Sequence, residues 1–202
     1  MKDRKNIFLL MATGMLLFGC SQTKESKEKL TSPIPTEIIS VDNEYIIEGN
    51  SIEGFKIGDT YSEKSPELNY EKKLSPSYTD EGIDTLNMVS VSDKSGKLFD
   101  IVLEELTIQK IWIESGRCKT KDGISVNSSL SDFTKTYPDF EIFYSYVSDS
   151  FWASTKSLEG IQFHLDKECY SGSKDGLNAS DMVELDPEDF NQNCKIVSIA
   201  VF

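Results

Sequence analysis

The chain has 202 residues, with 34 acidic against 21 basic side chains and a formal net charge of −13. That excess of negative charge repels phosphate backbones and anionic headgroups, which excludes a nucleic-acid-binding role. An apolar fraction of 38% with 10% aromatics supplies one ordinary core, and the length allows one domain or two small ones.

Lys2, Arg4 and Lys5 open the chain, and residues 7–11 and 15–18 form an apolar stretch too short and too interrupted for a good permanent membrane span. This is the layout of an export signal. It ends in Leu17-Phe18-Gly19-Cys20, which resembles a lipobox: an apolar residue, a tolerant position and a small residue before an obligatory cysteine. The resemblance implies diacylglyceryl transfer to the Cys20 thiol, cleavage after Gly19 and acylation of the freed amine. Gly19 leaves the peptidase room, and only a thiol at position 20 can become the thioether. Two or more acyl chains, at about 0.8 kcal/mol per buried methylene, hold a protein stably on a bilayer. Ser21 stands where the family's inner-membrane retention mark is an aspartate, so the expected location is the outer membrane.

Residues 1–19 are thus expected to be a lipoprotein signal peptide, and their loss takes the formal charge from −13 to −15, since Lys2, Arg4, Lys5 and Asp3 go with them. Residues 20–36 alternate charges with small polar groups, end in Pro33 and Pro35, and hold almost nothing to bury. They are expected to form a lipidated flexible tether spanning roughly 20–25 Å.

The segment from Gly54 to Ser62 runs as an apolar alternation, a turn and a helix-cap residue, and the segment from Gly123 to Ser131 repeats that order 69 residues later. Residues 96–101 are echoed by 160–165, and 108–113 by 196–201. Three echoes in one order suggest two copies of a unit, at 37–117 and 118–202. In the second, Ser129 or Ser131 caps a helix through Tyr137, with Leu130, Phe133 and Tyr137 at helical spacing and Pro138 as its stop. Residues 141–147, 151–155, 161–165 and 196–202 follow as strands. The expected fold is α+β: a mainly antiparallel sheet with one or two short helices per unit, each unit a strand-helix-strands arrangement.

Cys118, Cys169 and Cys194 remain once Cys20 is lipidated, and the envelope is oxidising. Cys169 follows a predicted strand and Cys194 precedes the last one, so neighbouring strand ends make these two a candidate disulfide; pairing of Cys118 with either stays open. The segment from Asp166 to Cys194 holds eight acids against Lys167 and Lys174. Asp175, Asp181 and Asp186 are its candidate calcium ligands, with Gly172 and Gly176 allowing tight turns, but the spacing departs from the twelve-residue calcium loop. A solvated acidic loop, with no metal and no cofactor, is the expectation.

His164, the one histidine, alternates inside a predicted strand and is expected to be a plain strand residue. A serine or cysteine hydrolase needs a base beside its nucleophile, and no nucleophile elbow, phosphate loop, dinucleotide fingerprint or zinc motif is present. Phe140, Phe143, Tyr144, Tyr146, Phe151 and Trp152 cluster, with Phe143 and Val147 on the strand face opposite Tyr144 and Tyr146. Core packing accounts for such a cluster; if one face is exposed, it could dock a partner protein or sugar.

From about residue 108 the chain carries Ile111, Ile113 and Ser115, then Thr120, Gly123-Ile124 and Val126, Ser131-Asp132, Ser171-Gly172, Gly176-Leu177, Ser180-Asp181, Lys195-Ile196 and Ser198-Ile199. In these it resembles the small family, of unknown function, that includes the sigma-E-regulated (RpoE-regulated) envelope lipoprotein of enteric bacteria. Asn127 stands where that pattern usually has glycine. The resemblance implies an envelope lipoprotein and supplies no active-site residues. The expected function is a non-enzymatic binding or scaffolding module held on the outer membrane by its acyl chains, with an envelope protein or glycan as partner. The rivals are a carboxylate-based glycan-active enzyme and a calcium-dependent adhesion module. The enzyme predicts two carboxylates roughly 5–10 Å apart in one pocket.

Overall fold

Side chains that alternate between apolar and polar put a dry and a wet face on a strand, and this chain is built from such segments. A computed structural model describes residues 43–79, 82–178 and 180–202; the expected export signal, the expected lipidation at Cys20 and the expected tether lie outside the described residues. The elements in chain order are β1 (Tyr45–Glu48), β2 (Ser51–Ile52), β3 (Phe55–Lys56), β4 (Asn69–Thr79), β5 (Gly82–Asp93), β6 (Gly96–Glu104), β7 (Thr107–Ile113) and β8 (Cys118–Thr120). Then come α1 (Leu130–Thr136), β9 (Phe140–Ser145), β10 (Ser150–Thr155), β11 (Ile161–Leu165), β12 (Met182–Leu185) and β13 (Ile196–Val201).

Nine strands form one antiparallel sheet in the order β12-β9-β10-β11-β13-β7-β6-β5-β4. Its register lines Val91, Phe99, Ile113, Ile199, Phe163, Ala153 and Ile142 in a single row across the inner face, and all are buried. A four-stranded sheet, β3-β2-β1-β8, covers one half of that face: Phe55 sits 5.9 Å from Phe99, ring to ring. α1 covers the other half, with Phe133 4.8 Å from Phe163. The described residues form a compact unit around one core.

The α+β expectation with helices in each unit is overturned: the fold is mostly β, and α1 is the one α-helix among the described residues. α1 itself follows from local chemistry. Ser129 Oγ accepts the Asp132 N–H at 3.1 Å, Asp132 reaches back to the Ser129 N–H, Leu130 and Phe133 are buried, and Pro138 follows the end. The first half lacks these parts. Counting back 69 residues puts Lys64 where Phe133 stands, and Pro66 falls inside what would be the helix. Without a second apolar residue one turn on there is no stripe to bury, and residues 61–65 stay irregular.

What recurs in the two halves is strand pairing. Gly58 N–H donates to Ile108 O (2.8 Å), Ile108 N–H to Asp59 O (2.9 Å) and Tyr61 N–H to Leu106 O (2.7 Å). Asn127 N–H donates likewise to Ile196 O (2.8 Å), Ile196 N–H to Ser128 O (3.0 Å) and Leu130 N–H to Cys194 O (2.7 Å). Gly58 and Asn127, the equivalent residues, both take positive φ, 86° and 73°. Asparagine is among the few non-glycine residues that tolerate this region, which explains its place there.

Candidate functional site

Inner-face coverage leaves the other side of the nine-stranded sheet open, and no described element packs across it. Its residues are those that alternate with the core row. Across the second half Glu184, Phe143, Trp152, His164 and Ser198 pair in register; across the first, Ser90, Asp100, Trp112 and Ala200. The rings meet in two pairs: Phe143 lies 4.7 Å from Trp152, and Trp112 lies 4.8 Å from His164. Phe143, Trp152, His164 and Trp112 are all half-buried.

The clustered aromatics are therefore split by the pleat. Phe140, Tyr144 and Phe151 turn inward, Tyr144 and Phe151 with ring centroids 4.9 Å apart, while Phe143 and Trp152 face out and Tyr146 sits exposed in the following turn. His164 is a strand residue whose buried Nε2 has no hydrogen-bond partner. Burial, and secondarily the charge of Lys110, push its pKa down to about 4, so the ring is a neutral aromatic near pH 7.

Charge concentrates on the first half of this face. Asp100, buried, receives Lys73 Nζ at 2.9 Å and Lys97 Nζ at 2.8 Å, and Lys97 also reaches Glu114 Oε2 at 2.8 Å. Burial drives the Asp100 carboxyl up, but the hydrogen bonds from Lys97, Lys73 and Ser90 outweigh it and hold it below its ordinary value. Lys110 Nζ lies over two rings, 4.5 Å from the Trp112 centroid and 4.7 Å from that of Phe202. Beside it runs a groove of about 660 Å³ between Lys73 and Lys110, lined also by Leu86, Met88, Val102 and Phe202.

A larger hollow, of about 870 Å³, is bounded by Glu44, Glu53, Glu67 and Asp93. Asp93 there is committed to Arg117 at 2.5 Å and to the Tyr45 hydroxyl at 2.7 Å.

Cys169 and Cys194 are joined in a disulfide with Cα atoms 5.4 Å apart, closing the acidic segment. Cys118 is a buried free thiol beside Leu98 O, and burial pushes its pKa up to about 12, away from reactivity. Among the described residues no group of three or more His, Cys, Asp or Glu gathers to hold a metal ion, so Asp175, Asp181 and Asp186 do not converge; Asp186 instead caps a turn of 3-10 helix at the Glu188 N–H. No described helix is long and apolar enough to cross a membrane.

Sequence reasoning did not single out Lys73, Asp100, Lys110, Trp112 or Phe202. A signal was present in 108–113, where Lys110 and Trp112 alternate with isoleucines, but their convergence with Asp100 depends on a register only the fold supplies.

No protein-family model matches the chain, and no curated protein matches it in sequence. Among solved structures it is similar to the crystal structure of the uncharacterized protein yfeY from Escherichia coli, at 12% identity and a TM-score of 0.42, over 66% of this chain and 79% of that one.

Proposed function

We propose that this chain is a lipid-anchored envelope lipoprotein of the outer membrane, working as a non-enzymatic binding module whose docking surface is the open face of the nine-stranded sheet. The set of Phe143, Trp152, His164 and Trp112 carries this reading. Rings on an uncovered face mark contact surfaces, because each presents a large apolar area at low entropy cost. Anchorage is supported by the signal layout and by Cys20 after Gly19. The resemblance of residues 108–202 to the sigma-E-regulated lipoprotein family agrees with it. The partner is an envelope protein or glycan.

The enzyme reading has a carboxylate pair to draw on, since Asp100 and Glu114 both touch the Lys97 ammonium. A glycosidase must hold one carboxyl protonated near neutral pH. Here two lysines hold Asp100 ionised, which unfits it for the protonated role.

Two measurements test the proposal. Labelled palmitate should enter the wild-type chain in cells and not the Cys20→Ala variant; equal labelling would contradict the anchor. A photo-crosslinking residue at position 152 of the anchored chain should give discrete adducts that one at position 135, on α1, does not. No adduct at 152, or the same adducts from both, would contradict the docking surface.

A further inference from the structure

The groove between Lys73 and Lys110 has a composition unlike the rest of this acidic chain. Across four paired strands one row reads Lys73, Met88, Val102, Lys110: two apolar side chains forming a floor between two ammonium groups. Lys73 is turned onto Asp100, and Lys97 neutralises Asp100 and Glu114 together, so both carboxylates of the groove are already paired. The third ammonium is not. Among the described residues no carboxylate lies within 4.0 Å of Lys110, which is held instead between the Trp112 and Phe202 rings. The groove's lining thus carries Lys73 and Lys110 against Asp100 and Glu114, and because Lys73 and Lys97 take up the acids, Lys110 is the ammonium that no described acid meets.

We propose that this groove binds the carboxylate of a long-chain fatty acid, with the head on Lys110 and the acyl chain along Met88 and Val102. Charge complementarity selects a single anionic head. The floor selects an acyl body, because Met88 and Val102 are apolar and sit on β5 and β6, interior strands whose backbone groups are paired within the sheet. Its volume of about 660 Å³ lies in the usual range of small-ligand sites, about 300–1,000 Å³. Burial lowers the Lys110 pKa, and an arriving carboxylate would restore its preference for the charged form. The inference deepens the binding-module reading and rests on it, placing one ligand class on the Trp112 half of the face.

The test uses the chain from Ser21 to Phe202, which keeps the whole compact unit. Trp152→Phe leaves Trp112 as the sole tryptophan reporter. Titration with dodecanoate below its micellar concentration should change Trp112 emission saturably, whereas dodecyltrimethylammonium should not. Lys110→Met should weaken dodecanoate binding at least about tenfold, and Lys110→Arg should keep it within about threefold, with melting curves showing that both variants fold. Equal response to the cationic amphiphile, an unchanged Lys110→Met variant, or a response to acidic oligosaccharide instead of dodecanoate would each overturn the proposal. Crosslinking from position 152 reads the other half of the face, so adducts there with no dodecanoate binding would sink the fatty-acid site alone.

Discussion

Asp93 shows how one side chain contributes to the acid limit of this fold. A hydrogen bond from Arg117 is the largest influence on its carboxyl; burial opposes it, the Tyr45 hydroxyl and Ser95 N–H assist, and the pKa falls to about 2 from 3.8. A value depressed by folding stabilises the native state fully above the unfolded value and loses that contribution as pH falls through the folded one. Stability of the wild type should therefore drop between about pH 4 and 2. Asp93→Asn should flatten that drop and cost about 2 kcal/mol at pH 7, read by denaturant melts across pH. The part of the slope carried by Asp100, whose pKa is also depressed, should survive in the variant. Asn127, at φ 73°, gives a second residue-scale prediction. Asn127→Ala should cost about 1–2 kcal/mol, and Asn127→Gly should cost nothing or stabilise, in the same melts.

At the scale of elements, a disulfide and an α-helix distinguish the second half among the described residues. Cys169 and Cys194 close a loop of sequence separation 25, worth about 3–4 kcal/mol in the loop-entropy account. A Cys169→Ser/Cys194→Ser double variant should lose about that much, and reductant should destabilise the wild type but not the variant. Phe133 is fully buried and meets Phe163, Phe140 and Tyr137, so Phe133→Ala should cost about 3–5 kcal/mol. Both features were legible in the sequence: the capping serine, the apolar spacing and Pro138 fix the helix, and the cysteines flank predicted strands. The long β4–β5 hairpin was not. Glu71, Lys72 and Lys73 with Pro76 carry no apolar alternation, yet β4 is the outer strand of the sheet, where lysines and proline guard an unpaired edge. Backbone pairing with β5, rather than side-chain pattern, makes β4 a strand. The absent first-half helix was misread for the converse reason: a cap-like Thr60 was present, but no apolar stripe followed it.

Across the whole molecule, one face of the nine-stranded sheet is fully employed, and no described element crosses the other, which carries half-buried aromatics and an ammonium with no described carboxylate beside it. A sheet with a single covered face ordinarily turns polar groups outward. Here Phe143, Trp152 and Trp112 replace them, and the lysines gather at the same surface, on a chain otherwise acidic. Alternation revealed the two faces of each strand, but not that the outward residues of segments far apart in the chain form one surface; that follows from the central β7–β13 pairing, which joins the halves. The proposed docking role requires this surface to be occupied in the envelope. Hydroxyl-radical footprinting with mass spectrometry measures it directly, comparing the anchored chain in intact envelopes with the purified chain. Oxidation of Trp112, Trp152 and Phe143 should fall several-fold in the envelope, while Tyr146, exposed in its turn, should be labelled alike in both. Equal oxidation of the three face aromatics in both preparations, or protection confined to Tyr146 and the acidic segment, would contradict the account.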